Sequence, residues 1–209
     1  MELFIFLIFF IFSFAMLSLI AYYVNLFTNS DRDSFEKSEL IDFARIIPRE
    51  VVGVVEANGS LQNGLIGFFS AAIFAFLWNL LGSLFASTRY SHEFSIYLFL
   101  SILLPLGIFF GLPFLVGFLR DSLGNSNIVT KIFSQEVSIL GGVSVSLIAQ
   151  NLTIYGVYHE VSFFLILINI LTIGGLFIYK LNKTLNSKIH DQEFEEESYD
   201  YTMDMEENS

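Results

Sequence analysis

"FSIYLFLSILLPLGIFFGLPFLVGF", residues 94–118, runs for 25 positions without one charged side chain. A helix rises about 1.5 Å per residue, so about 20 such residues cross the roughly 30 Å hydrocarbon core of a bilayer. Working outward, four more stretches have this character: 3–27, 64–86, 132–153 and 161–179. The fourth is the weakest, carrying Gln150, Asn151 and an edge Glu136. It would suit a buried core helix, but a chain this small has no soluble core to hold it. Composition agrees: 54% of the 209 residues are hydrophobic, 25 are phenylalanine and 15% are charged, where soluble domains carry about a quarter charged. Because lipid offers no partners to backbone N–H and C=O groups, such segments cross as helices. The expected fold is all-α, a polytopic membrane protein with five transmembrane helices.

The first stretch is weighed against a cleavable signal peptide. That would need a basic start, a shorter apolar run and a small-x-small cleavage site. The chain begins Met1-Glu2, and "SLIAYYVNLF" after the run offers no A-x-A. A retained anchor is expected. Cysteine is absent, which excludes disulfides, thiolate zinc sites, Cys-ligated clusters and cysteine nucleophiles.

The ten Lys and Arg residues set an orientation. Arg32, Lys37, Arg45 and Arg49 lie between spans one and two, Arg89 between two and three, Arg120 and Lys131 between three and four, and Lys180, Lys183 and Lys188 after span five. Five crossings put nine of the ten on one side and Arg89 alone on the other. Basic residues stay cytoplasmic, so the amino terminus is expected outside and the carboxyl terminus inside, with the bacterial inner membrane as the assumed location. The net charge of −11 does not conflict, since nine of the 21 acids fall in the last nineteen residues, "DQEFEEESYDYTMDMEENS". Self-repelling and poor in aliphatic residues, that tail is expected to be a disordered, solvated segment, with docking to a basic partner as its functional alternative.

At the entrance to the opening run stands "YSHEFSIYLFL", and 67 residues on comes "YHEVSFFLIL". The His-Glu-x-Ser block and a following glycine match at that fixed offset. Span two carries Gly67, Ala71, Ala75, Asn79 and Ser83 at every fourth position, and span four carries Ser134, Ser138, Gly142, Ser146 and Gln150, each 67 residues after its counterpart. Residues four apart share a helix face, and small residues let membrane helices approach closely. Spans two-three and four-five therefore read as tandem hairpins behind one N-terminal helix, packed along these stripes. The divisions expected are helix 1 at 1–28, a cytoplasmic connection at 29–63, hairpin 1 at 64–119, a loop at 120–131, hairpin 2 at 132–180 and the acidic tail at 181–209.

Other features carry weaker chemistry. Pro105, Gly107, Gly111 and Pro113 in span three point to a kinked or unwound helix, or to a GxxxG contact. His92, Glu93, His159 and Glu160 offer zinc or manganese donors on the outer face, but each pair is i,i+1, which turns the side chains apart. Ser91 and the early glutamates also suit helix N-termini. In the 29–63 connection, Asp33 and Glu36 resemble a capping box, and Leu40, Phe43, Ala44 and Ile47 share one face of an expected interfacial helix. "VVGVV" at 51–55 has strand character but no partner strand. Asn151 opens a glycosylation sequon, "NLT", discounted for its place beside the membrane.

No P-loop, HExxH, GxSxG or dinucleotide motif occurs, and no carboxylate lies deep in a span. That lowers the case for ion-coupled pumping. Functionally, the sequence supports a non-enzymatic subunit or assembly factor of a membrane complex, without cofactors, whose partners are the bilayer and other membrane subunits rather than nucleic acid. The alternatives are a small-solute or ion pathway between the hairpins near Asn79, Ser146, Gln150 and the span-three prolines, and a membrane enzyme using the outer His/Glu residues.

Overall fold

The computed structural model describes residues 2–29, 60–86, 93–157 and 163–184, and six helices account for nearly all of them. In chain order they are α1 (Glu2–Asn29), α2 (Leu61–Ala86), α3 (Glu93–Leu123), the short α4 (Ile128–Phe133), α5 (Glu136–Val157) and α6 (Phe163–Thr184). All but α4 are long and apolar enough to cross a membrane, and there is no strand among the described residues. The expected interfacial helix, the 51–55 segment and the acidic tail fall outside the described residues.

Helix ends follow local chemistry. Ser60 caps α2, its hydroxyl accepting from the Gln62 N–H at 3.2 Å and its carbonyl from the Gly64 N–H at 3.1 Å. Gly124, at φ +80, closes α3 by donating to the Arg120 carbonyl, a left-handed position that suits glycine. Asn127 then caps α4, its side chain accepting from Val129 N–H at 2.9 Å.

One sequence boundary needs correction. The fourth span was expected to start at residue 132, but Ile132 and Phe133 end α4, Ser134 is its C-cap, and α5 begins at Glu136. The reason is visible in Ser134: its hydroxyl donates to the Lys131 carbonyl at 2.8 Å, closing the short helix instead of continuing into the next.

The arrangement is a ring of four helices around a fifth. Phe6 meets Phe76 and Phe10 meets Phe68, joining α1 to α2 in antiparallel register. The Trp78 indole N–H donates to the Leu100 carbonyl at 3.4 Å, joining α2 to α3. Phe109 and Tyr179 join α3 to α6, and Leu17 against Gly174 joins α6 to α1. Inside the ring lies α5, with 83% of its span buried against 17 to 33% for the other four. Span four seemed weak because it is more polar than its neighbours; it tolerates that polarity by facing protein on every side. The two hairpins consequently occupy unequal places, α5 at the centre and its counterpart α2 on the rim.

The ring helices show the opposite pattern on their outer faces. Leu3 is 79% exposed, and Phe99, Phe110, Phe114 and Phe118 on α3 range from 62 to 81%. A contiguous apolar surface of that kind is unusual on a soluble monomer and ordinary against lipid.

Candidate functional site

Several hydroxyls within the spans bond within their own helix. Ser13 donates to the Phe9 carbonyl, Thr153 to Ala149 and Thr172 to Ile168, each four residues back. These satisfy themselves and bind nothing else. A different group reaches across helices. Asn169 of α6 donates to the Ser101 hydroxyl of α3 at 2.9 Å, and its carbonyl oxygen accepts from the Asn151 amide of α5 at 2.7 Å. All three residues are at most 1% exposed. The Asn151 carbonyl oxygen, itself buried, has no hydrogen-bond partner among the described residues.

Two further amides lie nearby in height. Gln150 is buried and donates to Ser146 one turn below at 3.2 Å. Asn79 of α2 is 1% exposed. Because α2 and α5 run parallel, with the Phe68 carbonyl against Gly142 and Gly67 beside Ile139, their register carried along the pair puts Asn79 level with residues 151–153. The interior thus holds a neutral polar belt toward the end where α2 and α5 finish and α3 and α6 start.

Among the small-residue stripes, Ala71, Ala75 and Asn79 on α2 are buried, as are Ser138, Gly142, Ser146 and Gln150 on α5. A Cβ on Gly142 would lie 2.9 Å from the Phe68 carbonyl carbon and closer still to its oxygen, so the backbones touch there. Gly67 has ordinary van der Waals distances, 3.4 Å to Ile139. Ser83 lies in α2, while Ser134, as noted, caps α4 and does not belong to the α5 face.

Span three bears on the proline and glycine readings. Helix α3 is unbroken through Pro105 and Pro113, so it does not unwind there. Gly107 and Gly111 are exposed, and a Cβ at either would meet nothing within 4 Å among the described residues. They form no close GxxxG contact among the described residues. Pro105 is fully buried and Pro113 exposed, placing the two prolines on different faces.

His92, His159 and Glu160 lie outside the described residues, and Glu93 is the first residue of α3. Among the described residues no group of three His, Asp or Glu converges on a point. At the other end of the bundle, the Lys180 ammonium of α6 pairs with the Glu136 carboxylate of α5 and stands 5.9 Å from the Phe109 ring centre. The cleft lined by these residues with Ile108, Leu112 and Leu140 is too narrow to admit a water molecule.

Sequence reasoning named Asn79, Ser146 and Gln150 but missed Ser101 and Asn169, and it treated Asn151 as a mark of a weak span and as a sequon. The available signal was that Asn169 is the one amide inside span five. Chemically, a belt of amides and hydroxyls exchanges hydrogen bonds and orients helices; it carries no group that titrates near neutrality. No protein-family model, curated protein or solved structure matches this chain.

Proposed function

We propose that this protein is a non-enzymatic membrane-embedded subunit or assembly factor, which docks through its lipid-facing surface and termini with a larger complex. The observation that carries this reading is the contrast between its interior and its rim. The interior is filled around α5 and joined by neutral hydrogen bonds, which supports a rigid scaffold. The rim presents phenylalanine-rich faces on α1, α3 and α6, and α3 adds the open Gly107 and Gly111 positions where another helix backbone can approach.

In this reading the end of the bundle bearing Arg120, Lys131, Lys180 and Lys183 faces the cytoplasm of a bacterial inner membrane. The acidic tail then hangs on the same side, available to a basic partner. Purification in mild detergent tests the proposal. Recovery with unrelated membrane subunits in fixed stoichiometry is the expected result, and a lone homo-oligomer under the gentlest conditions would contradict it.

A second reading is a closed pathway for a small polar solute, favoured by the buried Asn151 carbonyl without a partner and the amides at its level. Flux into proteoliposomes that falls on Asn79→Leu would favour it over the scaffold.

A further inference from the structure

Helix α6 carries few instructions about its own rotation. Its inward face holds Ile166, Ile173 and Leu181, at most 5% exposed, and its outward face Phe164, Ile168 and Leu171, between 43 and 67% exposed. Both faces are apolar, and lipid is as good a neighbour for Leu or Ile as protein is, so burial does not choose between them. Small residues do not choose either. Gly174 is buried with Leu17 of α1 at 3.3 Å from its Cβ position, while Gly175, one residue on, has nothing within 4 Å among the described residues. Turning α6 by one residue, about 100°, would bring Gly175 to Leu17 instead. Lys180 pairs with Glu136, but its ammonium rides on a flexible four-carbon stem that tolerates such a turn.

What remains is Asn169, the one amide inside span five and 1% exposed. It donates to Ser101 of α3 at 2.9 Å and accepts from Asn151 of α5 at 2.7 Å, so two helices hold it at once. We propose that Asn169 is the positioning residue that sets the rotation of α6, choosing Gly174 over Gly175 as the seat for Leu17. A one-residue turn carries its amide away from both partners to the outer place where Ile168 stands, leaving a primary amide in apolar surroundings. A single asparagine sets register in coiled coils by the same penalty on the wrong alignment. Each hydrogen bond between membrane helices gives about a threefold preference, so two give about tenfold. This inference is independent of the subunit proposal, since it concerns the packing of this chain alone.

The test exploits the absence of cysteine from the full-length chain. Leu17→Cys is paired with Gly174→Cys or with Gly175→Cys, and initial rates of disulfide formation are compared in liposomes. The first pair is expected to close faster. Adding Asn169→Leu is expected to move the rate ratio toward the second pair by about tenfold or more, and Asn151→Leu, which removes one bond, by about threefold. A purely structural part for Asn169 would lower Tm in these variants and leave the ratio where it was, and that result would overturn the proposal. Faster closure of the second pair with Asn169 in place would overturn it too. Should Asn169→Leu not fold, the ratio measured in Asn151→Leu decides by itself.

Discussion

Gly142 is the position where one methyl group does most damage. A Cβ there would lie 2.9 Å from the Phe68 carbonyl carbon and 3.1 Å from its Cα, whereas carbon atoms settle at about 3.5–4.0 Å. The obstruction is backbone, which cannot rotate aside, so α2 and α5 must part by on the order of 1 Å along a contact that buries Ala71 and Ala75. Overpacking of this kind costs about 1–3 kcal/mol. Replacing a helical glycine by alanine returns up to about 1 kcal/mol. With that return near 1 kcal/mol, Gly142→Ala is therefore expected to lose up to about 2 kcal/mol net, a fall in Tm of up to about 8 °C at this chain length. Gly111→Ala supplies the control, since nothing lies within 4 Å of its Cβ position, and it should match or slightly exceed the unaltered protein. The single tryptophan, Trp78, sits on α2 and reports unfolding by its fluorescence in detergent. Equal Tm values for the two alanine variants, or a larger loss at Gly111, would refute the α2–α5 contact.

The remaining predictions concern polar contacts. In a double-mutant cycle, Asn151→Ala and Asn169→Ala should show coupling of about 0.6 kcal/mol, up to about 1.7, as for other hydrogen bonds between membrane helices; additive losses would mean the two amides do not meet. Reversing one charge, Lys180→Glu, should lower thermal stability by up to about 1 kcal/mol, and adding Glu136→Lys should recover part of it. Stability that falls further in the double variant would count against the pair. Asn151, 1% exposed and bonded to Asn169, should stay unmodified in a host that glycosylates the Asn-Leu-Thr pattern, and a glycosidase-sensitive mass shift would contradict its burial.

The helices were legible in the sequence because lipid imposes a length and forbids charge, and both are one-dimensional properties. Gly142 and Ala75 were legible for a related reason: spacing by four fixes a shared face, and only small residues permit backbone contact. What spacing does not fix is which neighbour that face meets. Gly107 and Gly111 have the same spacing as a contact motif yet turn outward. Asn169 is the one amide in span five and Ser101 one of two serines in span three, and their meeting depends on the relative rotation of α3 and α6, which no local pattern encodes. The central place of α5 was hidden by the same limit. Its polarity, Gln150 and Asn151 included, marked a weak membrane span when each helix was weighed singly, and marks the innermost helix once four others enclose it. Glu136 and Lys180 were both visible as boundary charges, but their pairing required the antiparallel register of α5 and α6.

The proposed orientation of the five crossings underlies the placing of tail and outer face, and site-directed labelling tests it most directly. The chain has no cysteine, so Ser91→Cys and Ser187→Cys each introduce a single reactive thiol, one between spans two and three and one beyond span five. In sealed cells a membrane-impermeant maleimide should label Ser91→Cys at once and Ser187→Cys only after lysis. Labelling of Ser187→Cys from outside, with Ser91→Cys protected, would contradict the account.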